Sequence, residues 1–124
     1  MVERKTSVMG IMGWIAGSAL ALLVVATWAG VARAEEGKAL FERLGCTKCH
    51  AIAAEGVARK PGGKTEGPDL SGKGKTLTAD WITSFLEKKV TTEEGKKHKT
   101  KFKGTADELK TIAGYIDGLE TPAP

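Results

Sequence analysis

Both cysteines of the chain and one of its two histidines stand within five residues, Cys46-Thr47-Lys48-Cys49-His50. That clustering limits the folds open to everything else. A disulfide across two intervening residues closes so small a loop that it hardly constrains the unfolded chain. These cysteines therefore cannot act as a disulfide framework. The 124 residues hold at most one domain. Beyond Ala34 the aromatic side chains are Phe41, Trp81, Phe85, Phe102 and Tyr115 and no others. So thin a core needs a staple of another kind, a metal or a bound group.

The first third of the chain is different material. From Val8 to Val31 no residue is charged, Glu3, Arg4 and Lys5 precede the run, and Ala32-Arg33-Ala34 follows it. A basic start, an apolar run and a small-x-small site describe an export signal cleaved before Glu35. The run is also long enough to span a bilayer, with Trp14 and Trp28 as interface residues, so a retained anchor is the alternative. Either way residues 35–124 are expected outside the cytoplasm, in the periplasm. Loss of residues 1–34 removes Arg4, Lys5, Arg33 and Glu3, and the net charge of +4 falls to about +2. No basic stripe is interleaved with aromatics, which argues against a nucleic-acid binder.

Three helical segments are expected in residues 35–124. The first runs from about Glu35 to Leu44, with Leu40, Phe41 and Leu44 on one side, and is broken by Gly45. Thr78 is the N-cap of the second, "ADWITSFLEKK", whose apolar face is Trp81, Ile82, Phe85 and Leu86. The third opens with Thr105-Ala106-Asp107-Glu108, a capping box, and carries Leu109, Ile112, Ala113, Ile116 and Leu119 at three- and four-residue steps. Between the first two lies "EGVARKPGGKTEGPDLSGKGK", without strand-like alternation. It reads as an ordered loop wrapped around something, or as a flexible one. The fold class is all-α, small and loop-rich.

Three chemistries compete for the cysteines. A thioredoxin-like dithiol wants a βαβ context, and the chain has no apolar strand runs. Zinc wants four ligands; Cys46, Cys49, His50 and His98 are the whole Cys/His inventory, and adjacent Cys49 and His50 fit no usual ligand spacing. The third is covalent haem attachment, for which C-x-x-C-H is the signature. Two thiols three residues apart on a helical turn reach the two vinyl groups at one porphyrin edge, and the next residue offers the iron an imidazole nitrogen. Export fits this chemistry. One haem c would also supply the missing core.

With these parts in place the sequence resembles the class I c-type cytochromes over nearly all of residues 35–124. In that family a small residue and an aromatic of the first helix cross an aliphatic and an aromatic of the last. Gly37 and Phe41 here would cross Ile112 and Tyr115; a helix-interior glycine without such a role costs about 1 kcal/mol. "GPDL" resembles the family's Gly-Pro-x-Leu. The resemblance implies that the Pro68 carbonyl accepts a hydrogen bond from His50 and that Leu70 packs on the haem. "FKGTADEL" and "AGYI" resemble the distal loop and last helix, with Phe102 beside the cofactor.

One departure from the family matters. Its methionine ligand stands three residues before the phenylalanine, where this chain has Lys99. Met1, Met9 and Met12 all lie in the export segment. His98 remains, in "GKKHKTKFKG", and bis-histidine ligation by His50 and His98 is expected. Lysine is the weaker rival, since its ordinary pKa is about 10.4 against about 6.5 for histidine. Phe85 and Leu86 are expected to line the distal pocket. Lys96, Lys97, Lys99, Lys101 and Lys103 form either a docking ring for acidic redox partners or a solvated loop. The expected function is one-electron transfer at lower potential than in His/Met cytochromes, without a catalytic residue. The alternatives are a five-coordinate haem sensor and an exported C-x-x-C oxidoreductase.

Overall fold

The computed structural model describes the backbone of residues 12–124 and side chains from Trp28 onward. Of the export segment expected at residues 1–34, residues 1–11 lie outside the described residues, and the fold does not bear on its cleavage or retention. Among the described residues no helix is long and apolar enough to cross a membrane. The chain divides into two units, Met1–Ala32 and Arg33–Pro124, and the second carries the fold.

Three α-helices build it: α1, Met12–Arg43; α2, Ala79–Leu86; and α3, Ala106–Asp117. Single 3₁₀ turns at Cys46–Lys48, Ala53–Glu55 and Lys73–Lys75 punctuate the segment between α1 and α2. Among the described residues no strand forms, only an isolated bridge between Ile52 and Val57. The all-α expectation holds.

Its first boundary does not. The helix expected to begin near Glu35 is already formed at Met12. Ala32-Arg33-Ala34-Glu35-Glu36 contains strong helix formers and neither proline nor an N-cap residue, so nothing in the chain stops the helix there. It ends where expected. Gly45 adopts φ 78°, a left-handed conformation that glycine takes without penalty, and the chain turns into Cys46.

The two later helices start where the caps predict. Thr78 accepts a hydrogen bond from the Trp81 amide at 3.3 Å. Thr105 and Glu108 bond reciprocally to each other's backbone at 3.2 and 2.9 Å, a complete capping box. However, α2 stops at Leu86 rather than running on to Lys89. Lys88 takes φ 61°, its amide bonds the Phe85 carbonyl, and the Lys89 amide bonds the Ser84 carbonyl. This is a Schellman stop with lysine where glycine is usual, at a backbone cost of about 1–2 kcal/mol.

The core gathers around α3. Leu40 and Phe41 of α1 pack with Ile52, Val57, Ile82, Ile112, Ala113, Tyr115, Ile116 and Leu119. A Cβ on Gly37 would strike the Tyr115 ring, and Phe41 meets that ring edge-on at 6.4 Å. The crossing of α1 and α3 thus uses the residues the resemblance named.

The glycine-rich segment is ordered. Lys60, Gly67 and Leu70 donate their amides to the carbonyls of Thr47, Cys49 and Ala51 at 2.8, 2.8 and 2.9 Å. Farther on, Gly74 donates to Leu119 beyond the end of α3 at 2.9 Å. Each bond ties the segment to either the cysteine turn or the last helix, so it wraps the site rather than hanging free.

Candidate functional site

The site grows from the turn that Gly45 starts. Cys49 and His50 both donate their amides to the Cys46 carbonyl, at 3.2 and 3.0 Å, so Cys46 to His50 form one tight turn. Thr47 is buried within it. Cys46 and Cys49 are half-buried free thiols. Burial, reinforced by Cys49, pushes the Cys46 thiol above its ordinary range. A dithiol exchanger needs the opposite, a thiol made acidic by its surroundings. Among the described residues no three His, Cys, Asp or Glu side chains gather into a metal cage.

His50 is held by the loop opposite. Its Nδ1 lies 2.8 Å from the Pro68 carbonyl, and its ring leaves no room for a Cβ on Gly67. A carbonyl oxygen only accepts, so Nδ1 carries the proton and the neutral ring keeps its lone pair on Nε2. Burial holds the His50 pKa below the usual histidine range, with His98 adding to the effect and the Pro68 bond opposing it. The carbonyl is itself braced by its neighbour. The Asp69 carboxylate accepts from the Ser71 amide at 2.8 Å and the Ala53 amide at 3.2 Å, and the Ser71 hydroxyl accepts from Ala54 at 3.0 Å. Hydrogen bonds from Ser71 hold Asp69 below the ordinary carboxylate pKa.

On the other side, the segment after α2 brings His98 to His50. Their ring centroids are 6.1 Å apart with 16° between planes. The Nδ1 of His98 faces the Thr100 carbonyl, so by the same logic its lone pair is on Nε2 as well. Phe85 meets the His98 ring edge-on at 5.4 Å and stacks on Trp81 at 4.7 Å. Two bonds return the segment to α2: Lys88 Nζ to the Lys99 carbonyl at 2.9 Å, and the Phe102 amide to the Leu86 carbonyl at 3.0 Å. Of the nearby lysines, Lys96 pairs with Glu94 at 2.7 Å, and Lys97, Lys99, Lys101 and Lys103 are exposed.

The structure therefore brings Cys46, Cys49, His50, Pro68, Phe85 and His98 around one place. Leu70 and Phe102 are half-buried against the hydrophobic core; Phe102 also lines a groove of about 520 Å³ with Thr83, Gly104 and Leu109. Three contributors escaped the sequence reading. Asp69 and Ser71 had a signal, since Asp-x-Ser after proline favours a side-chain-closed turn. Lys88 had none, because nothing local marks a lysine for a left-handed backbone.

These residues fit a covalently held haem. Paired thiols stand on one turn, the imidazole's tautomer leaves Nε2 for a metal, the Gly67 backbone hugs that ring, and Leu70, Phe85 and Leu86 are partly buried apolar side chains of the same region. No curated protein and no solved structure matched the chain. The family model for cytochrome c matches residues 34–120. This span covers the cysteine turn, the wrapped loop and all of α2 and α3. The chain belongs to the cytochrome c family, electron-transfer proteins built on covalently attached haem c.

Proposed function

We propose that the protein is an exported, single-haem cytochrome of the class I type whose iron is held between His50 and His98. In this reading it relays one electron at a time between larger redox proteins. Cys46 and Cys49 form the thioethers, the Pro68 carbonyl orients His50, and Leu70, Phe85 and Phe102 give the cofactor apolar walls. Residues 1–34 direct the chain to the periplasm, as a cleaved signal or a retained anchor.

The observation that carries the reading is the imidazole pair. Two metal–nitrogen bonds of about 2 Å each, plus the half-widths of two five-membered rings, separate the centroids by about 6 Å. The rings stand 6.1 Å apart, near-parallel, and each engages a backbone carbonyl through Nδ1. The arrangement suits one metal shared by two Nε2 atoms. The methionine inventory supports it too, since all three lie at or before Met12.

When bound, haem supplies a one-electron Fe(III)/Fe(II) couple. The chain's own residues decide what that couple does. His50 and His98 would together hold the iron and would leave no position for an external ligand, which favours relay over gas binding or peroxide chemistry. Replacing a methionine by imidazole lowers the reduction potential, because methionine ligation raises it. The exposed lysines beside His98 support docking to acidic partners.

Redox titration of the purified protein and of His98→Ala tests the reading. The wild-type potential is expected below that of His/Met cytochromes, and the substitution should move it. A potential within the His/Met range, or one indifferent to the loss of His98, overturns the assignment.

A further inference from the structure

Among the described residues Lys88 is the one non-glycine residue with positive φ, 61°. It occupies the turn that closes α2, a place where glycine is free of strain. What its side chain adds is a single contact: Nζ donates to the Lys99 carbonyl at 2.9 Å. Lys99 follows His98 directly. On the far side of His98's own carbonyl partner, Thr100, the Phe102 amide returns to Leu86 at 3.0 Å. Besides the contact of Phe85 with the His98 ring, the stretch bearing His98 is therefore hydrogen-bonded to the end of α2 at two points. One is backbone to backbone, and the other depends wholly on the Lys88 ammonium. The loop's remaining hydrogen bonds, around Thr92 and Lys96, are internal to it and hold it to nothing.

We infer that Lys88 is a positioning residue for the distal histidine: its ammonium latches the Lys99 carbonyl and so holds the His98 ring at its distance from His50. The inference rests on the bis-histidine reading above. A charge-assisted hydrogen bond is stronger than a neutral one, which suits a tie that must hold a loop of lysines and a glycine. The backbone at Lys88 favours glycine, and the latch requires a long side chain with a charged donor.

Carbon monoxide binding to the reduced, haem-loaded protein measures how often His98 leaves its place. His98→Ala sets the rate for an open site. Lys88→Met and Lys88→Gly should each bind carbon monoxide about tenfold faster than wild type, the ratio that corresponds to about 1.4 kcal/mol. Lys88→Arg, which keeps a charged donor, should stay near wild type. Lys88→Gly relieves the backbone, so its Tm should not fall below that of Lys88→Met. Equal opening in both then separates the latch from general destabilisation. If wild type is slow, His98→Ala is fast, and the Met and Gly variants are as slow as wild type, the latch is refuted and the bis-histidine reading stands. A rate raised as much in Lys88→Arg also refutes it. A wild type as fast as His98→Ala refutes the bis-histidine reading, and the latch with it.

Discussion

A backbone carbonyl cannot donate a hydrogen bond, and that restriction assigns the tautomers of both histidines. Pro68 and Thr100 each occupy an Nδ1, so in each neutral ring the lone pair is on Nε2. Gly67 and Gly37 do the complementary work of absence. At Gly67 the chain passes against the His50 ring, and at Gly37 helix α1 passes against Tyr115. Gly37→Ala gains about 1 kcal/mol of helix propensity but forces a methyl into a packed ring, and overpacking costs about 1–3 kcal/mol. The net expectation is a loss of order 1 kcal/mol, a fall in Tm of roughly 4–8 °C for a domain of this size. Thermal unfolding of the haem-loaded variant checks it; a Tm unchanged or raised would mean the crossing has slack that the packing does not show. Gly37 was legible beforehand because a helix-interior glycine is unfavourable unless something needs the space. Asp69 was less so: its role depends on the Ala53 amide being opposite, which only the folded loop arranges.

Helices α2 and α3 announced themselves through their caps. Thr78 and Thr105 begin them, and the apolar steps that follow are buried on one side at Ile82, Leu109, Ile112, Ala113 and Ile116. Helix ends were harder to read. The start of α1 carries no stop or start signal, so the helix runs on through the alanines. Helix α2 ends two residues before Lys88, a lysine that takes a glycine's conformation, and the partner of its ammonium, the Lys99 backbone carbonyl, lies far along the chain. The loop that follows presents Lys97, Lys99, Lys101 and Lys103 to solvent around His98. Exposed charges act over a Debye length of about 10 Å at 0.1 M salt. Electron exchange with an acidic partner should therefore slow as ionic strength rises, and more weakly once two of these lysines are replaced by glutamine. Stopped-flow rates across a salt series decide it; rates flat with salt would reduce the lysines to a solvated surface.

Within residues 33–124 a small apolar core packs against the cysteine turn, whose last residue, His50, is paired with His98. The need for a staple was readable from the scarcity of large apolar residues, and its identity from C-x-x-C-H. The order of the long glycine-rich segment was not, because its hydrogen bonds reach Thr47, Cys49, Ala51 and Leu119, partners that no local pattern reveals. The pairing of His50 with His98 lies between these cases. Inventory alone nominated His98, and the 6.1 Å spacing with near-parallel planes gives the nomination a geometry. That geometry makes a spectroscopic demand. Held by two near-parallel imidazoles, as proposed, the iron would have its dπ orbitals strongly split, so the oxidised protein should be low-spin with a rhombic signal in low-temperature electron paramagnetic resonance. The account predicts that spectrum, and its replacement by a high-spin one in His98→Ala. A high-spin signal from the wild-type protein, or a low-spin one untouched by the loss of His98, would contradict it.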